Sequence, residues 1–176
     1  MFNTEQVDGL PAHYYATSVP EVRSVDRIER AEQFLAHTNA DIRHGGGVPY
    51  YVQSADFIQM PVLEAFKDAN NYYATLAHET CHWTKHPTRL DREFGRKSWG
   101  DAGYAHEELV AELGSAFLCA DLELTPEVRD DHASYLSFWM EVLKNDNRAI
   151  FAAAAHAQRA VDYLHKLQPE PIEAAA

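Results

Sequence analysis

Apolar positions in this chain recur at intervals of three and four over two stretches, separated by a segment with a shorter period. In the first, RIERAEQFLAHTN, residues Ile28, Ala31, Phe34 and Leu35 fall on one face of an amphipathic helix. From about Asn70 onward the helical period dominates, in NYYATLAHETCHWTKH, AGYAHEELVAELGSAFLCADL, DDHASYLSFWMEVLK and NRAIFAAAAHAQRAVDYLHKL. Pro87, Gly100, Gly103 and Pro126 lie between or beside these runs, where helices stop and start. The intervening ADIRHGGGVPYYVQSADFIQMP holds three short β-prone runs, divided at Gly45 to Gly47 and at Ser54 to Asp56. The order predicts an α+β fold in which a small antiparallel sheet packs on several helices. Residues 1–25 show no sustained period and read as an arm whose Phe2, Tyr14 and Tyr15 would dock on the domain, or as the stub of a linker. Residues 26–168 form one domain and 169–176 a frayed tail.

A chain of 176 residues that is 46% hydrophobic can bury a real core. Its 15 basic and 27 acidic residues leave a net charge of −12, which opposes adhesion to nucleic-acid phosphates. The acidic residues are scattered, so they suit an ordinary solvated surface better than an imitation of DNA. The N-terminus lacks the basic start and apolar stretch of a signal peptide, and no apolar run is long enough to span a bilayer. The only two cysteines, Cys81 and Cys119, both sit in helical runs and are too few for a disulfide framework. A cytoplasmic protein with no membrane contact is expected.

The segment Leu76-Ala77-His78-Glu79-Thr80-Cys81-His82-Trp83 changes the picture, because it places HExxH in a helical, mostly apolar context. Histidines four apart differ by about 40° around a helix, so both imidazoles can reach one zinc ion. Glu79 lies about 100° from His78, beside the metal, where it can take a proton from a zinc-activated water. A catalytic zinc takes three protein ligands and leaves a fourth position open. The longer HExxHxxGxxH form fails here, since Thr88 stands where its last histidine would be. His86 is set aside because Pro87 ends the helix, and Asp91 is a minor option. The better candidate lies in AHEELVAELGSAFL, where Glu108 and Glu112 share a face. Glu108 would bind the metal and Glu112 would fix a ligand imidazole from behind; the reverse assignment stays open. Ala111 and Ser115 are small enough to let the two helices approach closely.

These segments, LAHETCHWTKHPTRLDREFG, YAHEELVAELGSAFLCADL and RAIFAAAAHAQRAVDYL with ADIRHGGGVPYY and DFIQMP upstream, resemble the metallopeptidase domain of ArdC-type antirestriction proteins. The resemblance runs from about residue 2 to about residue 167. It implies a zincin-like, gluzincin fold with His78, His82 and a glutamate of EELVAE on the metal. It further implies a mobile-element origin and a protein or peptide substrate, with host restriction or defence proteins as candidates. Members usually carry an N-terminal single-stranded-DNA-binding domain that does not appear here, so direct nucleic-acid binding is not carried over. Cys81 departs from the residue expected within the motif and reads as a small packing group.

Peptide hydrolysis also needs a donor for the oxyanion, and His156 and Tyr135 are the candidates. Trp83, Trp99, Phe138 and Trp139 read as packing, and His44, beside the glycine-rich turn, as a residue lining a cleft by analogy with zincins. The sequence favours a zinc metallopeptidase with Glu79 as general base. The alternative is an antirestriction or protein-binding module with a structural metal. Iron, manganese or cobalt would also suit two histidines and a carboxylate.

Overall fold

The computed structural model describes residues 26–94, 102–126 and 148–170. The expected arm, most of the tail and the helix expected over DDHASYLSFWMEVLK, with Tyr135, Phe138 and Trp139, lie outside them, as does Trp99. Helix α1 (Glu29–Ala36) buries Ala31, Phe34 and Leu35, three of the positions its period singled out. Strands β1 (Asp41–His44), β2 (Tyr50–Val52) and β3 (Phe57–Met60) follow, then helices α2 (Ala69–Trp83), α3 (Ala102–Asp121) and α4 (Ala149–Lys166).

The three strands form a sheet in the order β1-β3-β2 that is mixed, not antiparallel as expected. A tight turn with Asp56 at φ 51 folds β3 back on β2, so Tyr51 pairs antiparallel with Ile58. The glycine run after β1 does something else. Gly45 (φ 144) and Gly46 (φ 66) take backbone conformations that side chains disfavour and carry the chain over the end of β3. Two strand spacings are about 9.6 Å, which five extended residues cover easily. β2 therefore lands on the far edge, and β1 runs parallel to β3 with Ile42 opposite Ile58. Gln59 secures the crossing by donating from Nε2 to the Gly45 carbonyl at 2.8 Å.

Ile58 and Met60 of β3 are fully buried and face α2, the central helix, which buries Tyr73, Leu76, Ala77 and Cys81. The Asp68 side chain starts α2 by accepting from the Asn71 amide at 2.8 Å. α3 lies against α2 and α4, through Ala111 and Leu118 on one side and Val110 with Ala153 and Ala157 on the other. Its approach to α2 is tightest at Gly114, where an added Cβ would stand 2.6 Å from Cys81 Sγ. We expect Gly114→Ala to destabilise the fold by about 1–3 kcal/mol through overpacking, despite roughly 1 kcal/mol of better helix propensity. Denaturant unfolding checks this. Adding Cys81→Ala should relieve the loss, and a stabilised single variant would refute the close-packing account.

Candidate metal centre

The close approach of α3 to α2 sets the geometry of a polar cluster beside the core. His78 and His82, one turn apart on α2, bring their Nε2 atoms to 3.1 Å. From α3, Glu108 faces both: Oε2 is 3.6 Å from His78 Nε2 and Oε1 is 3.4 Å from His82 Nε2. Among the described residues these three form a group of ligand-type side chains whose donor atoms lie within 4.8 Å of one another. Ligands held about 2.0–2.1 Å from a tetrahedral ion stand about 3.3–3.4 Å apart. The observed separations match that spacing, and two nitrogens with one carboxylate are a donor set suited to a divalent transition ion. Glu79, 7% exposed, sits on the same turn of α2.

The opposite edges of the two imidazoles are held from α3 as well. His82 Nδ1 donates to Glu107 Oε1 at 3.1 Å, while His78 Nδ1 lies 3.6 Å from Glu112 Oε1. Glu107 and Arg92 form a bidentate pair at 2.8 and 2.9 Å. Burial opposes a charge on His82, but hydrogen bonds to Glu107 and Glu108 outweigh it and raise its pKa to about 9. Burial likewise disfavours the Glu108 carboxylate, yet His78 and His82 hold it well below the usual carboxylate range. Carboxylates arranged to favour an imidazolium favour a metal cation for the same electrostatic reason. Burial lowers the Lys85 pKa; its Nζ stands 3.9 Å from Glu107 and over the Tyr51 ring.

Of the other residues singled out by the sequence, few join this cluster. α2 stops at Trp83, so His86 turns aside to a hydrogen bond with Thr88 Oγ1 at 2.8 Å. Asp91 occupies a turn at φ 44. His156 on α4 stacks edge-on to Phe94, with ring centroids 4.8 Å apart, on the Arg92 side of the cluster. His44 ends β1 and hydrogen-bonds the Tyr72 hydroxyl at 2.8 Å. Cys81 is fully buried and its thiol is pushed up to about 12 by burial, which suits packing and not reactivity. Trp83 packs under Arg89, whose guanidinium lies 3.8 Å above its ring. Sequence reasoning missed Glu107, Arg92 and Gly114.

A family model described as zincin-like metallopeptidase matches residues 29–156, the span that contains all of these side chains. The chain belongs to the zincin-like metallopeptidase family. An uncharacterized protein, y4eC of Sinorhizobium fredii, is 46% identical over 170 residues, covering 97% of this chain and 54% of that protein. A DNA primase, TraC of Escherichia coli, is 39% identical over 174 residues that make up 16% of its length. The crystal structure of the antirestriction protein ArdC from the R388 plasmid with Mn(II) bound superposes with a TM-score of 0.72 at 43% identity. That superposition covers 94% of this chain and 60% of ArdC. A metal-free ArdC structure gives 0.70 at 45% identity. The chain thus spans about half of y4eC and a smaller share of TraC. No helix among the described residues is long and apolar enough to cross a membrane.

Proposed function

We propose that this chain is a metal-dependent peptidase domain, with His78, His82 and Glu108 as ligands to a zinc ion and Glu79 as general base. The observation that carries the reading is the triad of Nε2, Nε2 and carboxylate oxygen at 3.1–3.6 Å with Glu79 on the adjoining helix position. A divalent ion held by these residues supplies Lewis acidity, polarising a peptide carbonyl and lowering the pKa of water toward about 7. Glu107 and Glu112 hold the outer edges of the imidazoles, which directs both Nε2 atoms inward. Glu79 accepts the proton of the attacking water and delivers it to the leaving amine. His156 and Tyr135 remain the candidates for oxyanion donor.

Substrate binding is supported by a cavity of about 310 Å³ lined by Gly47, Pro49, Pro61, Phe66, Asn71 and Thr75. Asn71, Thr75, His78 and His82 follow one another at spacings of four, three and four, so they share one stripe of α2. The cavity borders the N-terminal end of that stripe, at Asn71 and Thr75, and its mixed lining suits a peptide. The likeness to ArdC supports a role in antirestriction with host restriction or defence proteins as substrates, and the Mn(II) bound there supports a metal in this chain.

The test is Glu79→Gln. It should keep the metal content of the wild type and lose about 10²- to 10⁴-fold in cleavage of a peptide library, the usual contribution of a general base. Wild-type turnover in Glu79→Gln would overturn the role of Glu79. Retained antirestriction protection in a variant without turnover would favour a binding module with a structural metal.

A further inference from the structure

The Arg92 side chain is 2% exposed, and the chemistry described above makes no use of it. A guanidinium keeps its charge under all ordinary conditions, so burying one is costly unless its donors are matched. Here they are matched with unusual economy. Nε donates to Glu107 Oε2 at 2.8 Å, and one terminal nitrogen donates to Glu107 Oε1 at 2.9 Å and to the Cys81 carbonyl at 3.0 Å. The other donates to Thr84 Oγ1 at 3.1 Å. Glu107 Oε1 also accepts from His82 Nδ1 at 3.1 Å. One carboxylate thus carries the guanidinium on one side and an imidazole of the triad on the other. His78 is served differently, by the 23% exposed Glu112 side chain at 3.6 Å.

We propose that Arg92 is a positioning residue for the metal centre, acting through Glu107 to fix the orientation and donor strength of His82. The inference rests on the metal-centre reading above. A bidentate fork fixes the plane of the Glu107 carboxylate, which in turn fixes the His82 ring about its last torsion. With Glu107 Oε1 held at 3.1 Å from Nδ1, the ring is turned so that Nε2 faces the triad. The same guanidinium holds the Cys81 carbonyl, left without a helical partner where α2 ends, and so steadies the backbone next to His82. The chain returns Arg92 to this position through a turn in which its amide bonds the Lys85 carbonyl at 3.2 Å.

The experiment uses the full chain and two probes, zinc titrated against a chromophoric chelator and cobalt(II) read by its visible spectrum. Arg92→Met should raise the zinc Kd about 10- to 100-fold, the range for partners behind a metal ligand, and shift the cobalt bands. Arg92→Lys keeps the charge but not the fork and should recover only part of the affinity. Arg92→Met combined with Glu107→Gln should lose no more than the weaker single variant, because both act through one path. A wild-type Kd and cobalt spectrum in Arg92→Lys would overturn the proposal even if the melting temperature falls. That variant alone decides if Arg92→Met does not fold. A wild-type chain that takes up neither ion overturns the metal-centre reading itself.

Discussion

Glu108→Ala should weaken divalent-metal binding by more than about 100-fold, whereas Glu112→Ala should weaken it by about 10- to 100-fold, the range for a residue behind a ligand. The two glutamates share a face of α3, and their spacing alone left the ligand role open to either. Their oxygens favour Glu108: both of its oxygens face the inward Nε2 atoms at 3.4 and 3.6 Å, while Glu112 Oε1 faces the outward Nδ1 of His78 at 3.6 Å. Removing Glu108 takes away the anionic donor of the triad. Removing Glu112 leaves the triad intact but loosens one ring. Zinc titration against a chelator separates the two, and thermal unfolding gives an independent reading. At a free zinc concentration 100 times Kd, the bound ion stabilises the fold by about 2.7 kcal/mol, and Glu108→Ala should lose that increment. Equal losses, or a larger loss in Glu112→Ala, would reverse the assignment.

How much of this centre was legible beforehand depends on which face of a helix each residue occupies. His78, Glu79 and His82 follow from a spacing that only a helix makes meaningful, and the α3 glutamates from their period of four. Glu107 did not stand out because it sits one position before Glu108 and reads as a neighbour on a polar face. Its signal lay in the stripe Glu107, Ala111, Gly114, Leu118, at spacings of four, three and four, in which the other members are small or apolar and buried. A carboxylate heading such a stripe must have a buried partner. That partner, Arg92, comes from a turn after α2 whose path no periodicity announces. The sheet shows the same limit. Its three strands were visible as β-prone runs, but their pairing depended on whether the glycine run turned β1 back on itself or carried the chain across β3. Composition identifies a turn there without giving its direction.

Glu107→Ala should destabilise the fold by about 3–5 kcal/mol, because it leaves the buried Arg92 charge without its carboxylate. The cost arises from the unpaired guanidinium more than from the lost bonds, so removing both partners should cost less than the sum of the single losses. The pair also leaves a mark on the pH dependence. Burial alone would raise the Glu107 pKa, but hydrogen bonds from His82 and Arg92 overcome it and hold the carboxyl at about 2, against an ordinary value of 4.5. A group whose pKa is depressed on folding contributes stability that is complete above its unfolded value and disappears as the pH falls toward its folded one. The wild type should therefore lose stability between about pH 4.5 and 2. Glu107→Gln, which retains an acceptor but no titrating carboxyl, should start less stable and show a shallower acid limb in urea unfolding. Parallel acid limbs in the two proteins would mean that Glu107 titrates alike in the folded and unfolded chains, and the buried Arg92–Glu107–His82 linkage would have to be abandoned.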